Sequence, residues 1–246
     1  MKTVKKIETS HPLTAAQRDE IFGAFDHLAV GQAFELVISA SPAQPGLLAE
    51  FQKRYGQSFD WWPIGSKAQQ LRVMVVRRAS DRPRTISDLL GADHARLTEL
   101  WDEALAHVKT CELSHETLHT LGKENLKGPT EVLAQFILGL RRHIRMEEEL
   151  LFPFLEDRAG LPKGAGPTAV MRAEHQQIQA VLGALEKILP SGSCVTIIQT
   201  IEGQPVHPTV LLSNHDAKEE NILYPLADRI ASADEVRELV SAMQAL

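Results

Sequence analysis

An eleven-residue pattern that contains metal-ligand side chains occurs twice in this chain. The segment from His143 to Pro153 is matched 72 positions later by the segment from His215 to Pro225, with His, Glu, Glu, Leu and Pro at the same places. Each copy contains His-x-x-x-Glu, and residues four apart lie on the same face of an α-helix. Each copy therefore offers one imidazole and one carboxylate, both metal ligands, to a single point in space.

The two His-Glu pairs occupy positions that helical periodicity assigns to the core. The pattern predicts that the following residues are buried: Leu140, His143, Glu147, Leu150, Leu151 and Phe154 in the first copy, and Leu211, Leu212, His215, Glu219, Ile222, Leu223 and Leu226 in the second. A buried carboxylate is unfavourable unless it is paired, protonated or bound to a cation. A single His-x-x-x-Glu is usually a half-exposed ion pair, but two copies in matching register indicate a metal site.

Two more histidines precede the copies, and each follows an acidic residue, in Asp93-His94 and Glu174-His175. The ranges 86 to 157 and 167 to 230 are therefore interpreted as two helical hairpins, each contributing one His from its first helix and His-x-x-x-Glu from its second. The predicted metal ligands are His94, His143, Glu147, His175, His215 and Glu219.

Residues beside these ligands are candidates for supporting roles. Asp93, Glu148, Glu174 and Glu220 could accept the far ring N–H of a ligand histidine, although most are expected to face water. Tyr224 could be a redox or hydrogen-bonding partner, but it holds the same place in the repeat as Phe152, and both are interpreted as packing residues.

The ligand set indicates which metals fit. Four imidazoles and two carboxylates favour iron, with manganese or a mixed-metal pair as the alternative, and exceed what one tetrahedral zinc ion needs. If both carboxylates and an oxo or hydroxo group bridge two irons, about one coordination position per metal stays open. A diatomic molecule or peroxide could bind there.

From about residue 86 to 230 the sequence resembles the hemerythrin-like, HHE cation-binding family, whose ligands match the six residues above. The resemblance implies an all-α, up-down-up-down four-helix bundle that holds two iron ions. This chain has Glu in both copies where oxygen-carrying members place a second His. That difference favours the bacterial di-iron proteins of nitrosative and oxidative stress and of iron-centre repair over reversible oxygen carriage.

The N-terminal third has a different pattern, with the predicted order βαβαββ of a two-layer α+β domain. Residues 1–78 are assigned to this domain, 79–85 to a linker, and 86–246 to the bundle with a short C-terminal helix. The first domain resembles an uncharacterised domain with a sulfur-carrier-like fold that occurs beside hemerythrin-like domains. Residues 1–110 contain no cysteine, which excludes persulfide transfer.

A second metal motif and two thiols lie outside this scheme. His115-Glu-Thr-Leu-His119 matches the zinc-peptidase signature His-Glu-x-x-His, but the third ligand position of its extended form falls on Asn125. A zinc metallopeptidase is therefore the remote alternative. Cys111 and Cys194 would follow the first and third bundle helices at one end, so a redox pair is geometrically open, although unrelated reduced thiols are favoured.

Composition limits the partners and the location. The net charge is -6 and no basic cluster occurs, which argues against nucleic acid. No apolar run is long enough for a membrane span, and the expected location is the cytoplasm. The residues leave two function classes open: an enzyme that turns over O2, NO or peroxide with an electron donor, or a sensor or store of O2, NO or iron that acts through a protein partner.

Overall fold

The computed structural model describes residues 3–9, 13–39, 44–56, 58–67, 70–79, 84–115, 127–191 and 193–246. The chain divides into two compact units, one of Met1–Arg84 with Val240–Leu246, the other of Thr85–Leu239. The sequence interpretation placed the whole C-terminal helix with the bundle. The difference has a physical basis, because the side chain of Gln244 is buried and its amide donates to the carbonyl oxygen of Phe59 at 3.5 Å.

The N-terminal unit contains a four-stranded sheet and two helices in the predicted order. The elements are β1 (Thr3–Glu8), α1 (Ala15–Asp26), β2 (Ala33–Ser39), α2 (Gln44–Tyr55), β3 (Phe59–Lys67) and β4 (Gln70–Arg77). The strand order is β1-β2-β4-β3, with β1 parallel to β2 and the other two pairs antiparallel. Side chains alternate between the faces of a strand, so Val73 and Val75 of β4 join the main core with Phe25 of α1 and Phe51 of α2.

The second unit is helical in the part of the chain that the structure describes. Its elements are α3 (Ile86–His115), α4 (Lys127–Met146), α5 (Phe152–Arg158), α6 (Pro167–Ile188), α7 (Cys194–Glu202), α8 (Pro208–Lys218), α9 (Tyr224–Ile230) and α10 (Ala233–Ala245), of which α10 continues into the first unit. Helix α7 was not predicted. Cys194 is its first residue and is buried.

Both repeat copies contain a wide helical turn. A π-helical turn of Glu147–Leu151 joins α4 to α5, and another of Glu219–Leu223 joins α8 to α9, so that each metal-site glutamate begins a π turn. The N–H of Phe152 bonds to the carbonyl oxygen of Glu147, five residues earlier, and that of Tyr224 bonds to Glu219 in the same way. A proline follows in each copy; it has no N–H to donate and would clash within a regular α-turn, and the wide turn accommodates it.

The π turns change which side chains face the core. Leu151 and Phe152 are buried in the first copy, and Leu223 and Tyr224 in the second. The expectation that Ile222 is buried was wrong, since 57% of its surface is exposed. Regular α-helical periodicity misplaced this residue because a π turn contains one more residue than an α turn and rotates the following side chains.

Candidate metal centre

The six predicted ligand residues come together in the interior of the helical unit. Their side chains are almost completely buried, with His94 the most accessible at 4%. His94 lies on α3, His143 on α4, His175 on α6 and His215 on α8, while Glu147 and Glu219 begin the two π turns. Donor atoms of Glu147, His175, His215 and Glu219 lie within 4.8 Å of one another, and so do those of His94, His143 and Glu219.

These two groups define two adjacent sites, which share the carboxylates. Site B contains the Nε2 atoms of His175 and His215; Glu147 Oε2 lies 3.2 Å from the first and Glu219 Oε1 lies 3.3 Å from the second. Site A contains the Nε2 atoms of His94 and His143; Glu219 Oε2 lies 3.4 Å from the first and Glu147 Oε1 lies 3.6 Å from the second. Each glutamate therefore directs one oxygen to each site, which is the arrangement of a bridging carboxylate.

The far ring nitrogen of every site histidine contacts an acid on another helix. His143 Nδ1 lies 3.2 Å from Asp93, and His94 Nδ1 lies 2.9 Å from Glu220. The other two pairs are His175 Nδ1 with Glu148 at 2.8 Å and His215 Nδ1 with Glu174 at 3.0 Å. The sequence named these four acids, but the expectation that most would face water was wrong.

The four pairs form a closed ring around the unit and orient the imidazoles. In each pair the acid and the histidine lie on different elements. The acids of α3 and of the first π turn accept from the histidines of α4 and α6, respectively. The acids of α6 and of the second π turn accept from the histidines of α8 and α3, respectively, which closes the ring. Because an ionised carboxylate only accepts hydrogen bonds, each Nδ1 carries a proton, and Nε2 is the ring nitrogen left to bind a cation. All four Nε2 atoms point into the two sites.

The two carboxylates have opposite pKa shifts. Burial and the charge of Glu147 raise the pKa of Glu219 to about 7. Burial also acts to raise the pKa of Glu147, but the neighbouring His143 and His175 outweigh it and hold that pKa well below its ordinary value. Two adjacent buried carboxylates resist being charged together, and a bound cation would relieve this repulsion.

Two buried carboxylate oxygens without hydrogen-bond partners indicate whether the site fits a cation. Glu147 Oε2 and Glu219 Oε1 are buried and have no hydrogen-bond partner among the described residues. Buried polar atoms in native proteins nearly always have a partner, and an unsatisfied group indicates an ion or water that belongs there. Both orphaned oxygens face site B, so the residues present fit a metal ion.

Close packing and hydrogen bonds fix the helices that carry the ligands. A Cβ atom at Gly139, one turn before His143, would lie 2.9 Å from Leu97 Cδ2, which is one turn after His94. The glycine thus allows α3 and α4 to approach closely beside site A. The carboxylate of Asp228 on α9 accepts the N–H groups of Ile86 at 2.7 Å and Ser87 at 3.2 Å, where it caps the start of α3.

Tyr224 belongs to the centre, although the sequence interpretation preferred a packing role to a hydrogen-bonding one. The interpretation of Tyr224 as a packing residue was wrong, because its hydroxyl donates to Glu147 Oε1 at 2.6 Å and lies 3.1 Å from Glu219 Oε2. Burial, followed by the charges of these two glutamates, raises the pKa of the phenol well above its ordinary value. The available signal was the hydroxyl itself, since the matching residue Phe152 has none and stacks on His175 at 5.5 Å.

A cavity of about 760 Å³ reaches site A from the side of α3 and α8. Its walls include His94, Asp216 and Glu220 near the centre, and Trp101 and Gly91 farther along α3. Asp216 Oδ1 lies 3.7 Å from His94 Nε2. The cavity is large enough for a small ligand to approach the donors of site A.

The competing motif and the cysteine pair are not tested. The side chains of Cys111 and His115, and all of residues 116–126, including His119 and Asn125, lie outside the described part of the chain. The zinc-peptidase alternative and the pairing of Cys111 with Cys194 therefore stay predictions. Within the described residues, the groups able to hold a metal are the two in the helical unit.

A helical unit with paired His and Glu donors in its core defines a class of cation-binding protein. The family model described as Hemerythrin HHE cation binding domain matches residues 85–227, more than half of the chain, and the chain belongs to this family. The chain is also similar to the protein named "Iron-sulfur cluster repair protein YtfE" from Yersinia pseudotuberculosis serotype IB (strain PB1/+), with 29% identity over 149 residues. The same-named protein of Yersinia pestis (strain Pestoides F) is 28% identical over 149 residues.

The extent of these similarities is limited to part of each protein. The match to either relative covers 58% of this chain and 65% of the relative, so the chain spans just under two thirds of the length of these relatives. No solved structure matches the chain at a significant level. The sulfur-carrier-like resemblance of the first 78 residues stays a prediction. In the described part of the chain, no helix has the length and apolar character needed to cross a membrane.

Proposed function

We propose that this chain is a non-haem di-iron protein that reacts with or binds O2, NO or peroxide and acts in the response to nitrosative or oxidative stress or in the repair of iron centres. The observation that carries the proposal is the pair of adjacent donor sets, in which Glu147 and Glu219 each direct one oxygen to each site. The repair role comes from the names of the Yersinia relatives.

The proposed ligands are His94 and His143 for one iron, His175 and His215 for the other, and Glu147 and Glu219 between them. Histidine and carboxylate donors in this ratio suit iron, with manganese as the alternative metal. Two bound irons would supply Lewis acidity, one-electron chemistry and open positions for a small molecule. The four long helical segments are proposed to form the up-down-up-down bundle of the family.

The protein's own residues hold the centre in a state ready for cations. The acid contacts at Nδ1 keep each imidazole in the tautomer whose Nε2 lone pair faces the site. The surrounding apolar side chains exclude bulk water, which strengthens each donor–cation attraction. The cavity beside His94 provides the path along which a small ligand would arrive.

The first experiment is iron analysis with optical spectroscopy of protein from iron-replete cells. We expect about two irons per chain and the near-ultraviolet absorption of an oxo-bridged iron pair. Binding of this pair requires both carboxylates. The variant with Glu147→Ala and Glu219→Ala should lose both. A matched control replaces two exposed glutamates of the same unit, Glu103→Ala and Glu202→Ala, and should keep both. One zinc per chain that survives loss of Glu147 and Glu219 but not of His115 and His119 would refute the proposal.

A second experiment separates catalysis, repair and stoichiometric binding. The iron-loaded protein is mixed with NO or peroxide and a reductant, and separately with a protein whose iron-sulfur cluster has been damaged. Consumption of many equivalents of NO or peroxide per chain indicates an enzyme. Recovered activity of the damaged iron-sulfur protein, together with loss of iron from the iron-loaded chain, indicates repair. Binding of a single equivalent with neither effect indicates a sensor or store that acts through a partner.

A further inference from the structure

Sites A and B differ in how closely the donors of the six ligands lie together. Site B has a compact group of four residues, Glu147, His175, His215 and Glu219. Site A has a compact group of only three, His94, His143 and Glu219, while Glu147 Oε1 lies to one side. With these residues alone, a cation at site A would have fewer close protein donors than its neighbour.

The hydroxyl oxygen of Tyr224 occupies the open side of site A. It lies 3.1 Å from His94 Nε2, 3.3 Å from His143 Nε2, 3.1 Å from Glu219 Oε2 and 2.6 Å from Glu147 Oε1. With metal–ligand bonds of about 2.1 Å, adjacent vertices of an octahedron are about 3.0 Å apart. An oxygen with four donor neighbours near this spacing has the surroundings of one octahedral vertex.

The phenol oxygen has four donor atoms around it and only one proton of its own. That proton is donated to Glu147 Oε1 at 2.6 Å. The two histidines donate from Nδ1 to Asp93 and Glu220, which leaves their Nε2 atoms directed at the phenol oxygen. A cation bound among these atoms would replace the protons that they hold in the metal-free protein.

Packing prevents Tyr224 from leaving the site. Its side chain is fully buried, and it contacts the His94 ring with centroids 5.5 Å apart. The backbone is held by the second π turn, in which the N–H of Tyr224 bonds to Glu219. A cation bound by the donors of site A would therefore lie within bonding distance of the hydroxyl oxygen.

We propose that Tyr224 is a direct ligand of the metal at site A and makes the two metal positions chemically different. This inference rests on the proposed di-iron function. On binding, the phenol O–H bond breaks, the oxygen–metal bond forms, and the proton leaves to solvent without any change of oxidation state. Site A then has the extra anionic oxygen, and site B keeps more positions for water or a small ligand.

The repeat supports the assignment because it contains its own internal comparison. Phe152 occupies the matching position and stacks on His175 as Tyr224 packs beside His94. The two aromatic rings are therefore placed alike, and only the one at site A has a donor atom. The difference between the sites comes from a single oxygen.

The test uses the colour of tyrosinate bound to iron(III), which absorbs visible light by charge transfer from the phenolate. The full-length protein is loaded with iron, oxidised in air, and examined by visible absorption and by resonance Raman scattering excited within the band. The chain has two tyrosines, so Tyr55→Phe is the matched control. We expect phenolate vibrations in the wild type and in Tyr55→Phe, and their loss in Tyr224→Phe with two irons retained.

A transposed variant, Phe152→Tyr with Tyr224→Phe, should regain a charge-transfer band by placing the phenol at site B. If Tyr224→Phe fails to hold iron, a band in Tyr55→Phe still assigns the phenolate to Tyr224, the one tyrosine left. Two irons in the wild type without phenolate vibrations would overturn the inference and leave the di-iron proposal standing. No bound iron in the wild type would overturn both.

Discussion

The Nε2 atoms of His175 and His215 lie 3.1 Å apart. Both rings already engage a glutamate through Nδ1, so two lone pairs meet unless a proton or a cation lies between them. Burial lowers the pKa of His215 to about 4, whereas the pKa of His175 is raised because contact with Glu147 outweighs its burial. In the absence of metal, one shared proton on His175 would hold the pair together, and a metal would replace that proton.

The acid contacts at Nδ1 should control iron affinity. Asp93→Asn replaces an acceptor by an amide that can also donate, so His143 loses the constraint on its tautomer. We expect iron affinity to fall by about 10–100-fold, measured by competition with a chelator. Asp102→Asn, on the exposed face of the same helix, is the control and should bind iron like the wild type. Equal affinities for all three proteins would contradict the orienting role of Asp93.

Iron should stabilise the folded protein only when both bridging carboxylates are present. At free iron about one hundred times the dissociation constant, binding adds about 2.7 kcal/mol to the free energy of unfolding. The variant with Glu147→Gln and Glu219→Gln should lose this effect in a thermal melt. In the metal-free form the two substitutions act in opposite directions, because Glu219→Gln removes an unfavourable buried charge, whereas Glu147→Gln removes the partner of His143 and His175. The iron-induced shift of each protein is therefore measured against its own metal-free form. An iron-induced shift in the variant equal to that of the wild type would count against the bridges.

The stability of the metal-free protein should depend on the ionisation of Glu219. The groups around this carboxyl are Glu147, His94, His143, His175, His215 and Tyr224. Its pKa is about 7 in the folded protein and 4.5 in the reference state, so the folded state holds the proton more tightly. The contribution of Glu219 is therefore fully present below pH 4.5 and is lost as the pH rises through about 7.

This dependence is measured as the melting temperature of the metal-free wild type minus that of Glu219→Gln, from pH 4.5 to 8. The variant is neutral throughout, so the difference isolates the carboxyl. We expect the difference to fall as the pH rises, because ionisation of Glu219 costs stability only in the wild type. A difference that rises with pH would mean that the folded state favours the charged form.

Filling the cavity beside site A should slow the arrival of small ligands. A side chain at Gly91 would start in open space, with nothing within 4 Å of its Cβ, and would extend along the cavity wall. Gly91→Phe should therefore reduce the association rate of azide with the iron-loaded protein, observed by stopped flow, without changing the iron content. Gly183→Phe is the matched control, since this helical glycine on α6 also has open space and does not line the cavity. Identical rates in the two variants would exclude the cavity as the entry route.

Much of the architecture could be predicted because it depends on local patterns. The order βαβαββ predicted for the first domain is the observed order of β1, α1, β2, α2, β3 and β4. Helical spacing assigned the six ligand residues to core positions, and all six are buried. Helix α7 was missed because a nine-residue amphipathic segment between longer helices has no distinct signal of its own.

The sequence by itself determined which residues could bind metal, because the four-residue spacing of His and Glu and its repetition are properties of the chain. Only the tertiary structure decided which other side chains orient these residues and join them in the site. The acids that orient the histidines come from other helices, and adjacency along the chain does not reveal cross-helix partners. The second π turn directs Tyr224 into the centre and Ile222 outward, because its extra residue rotates the side chains relative to a regular α-helix. Whether a helix forms such a turn before a proline depends on how the surrounding residues pack.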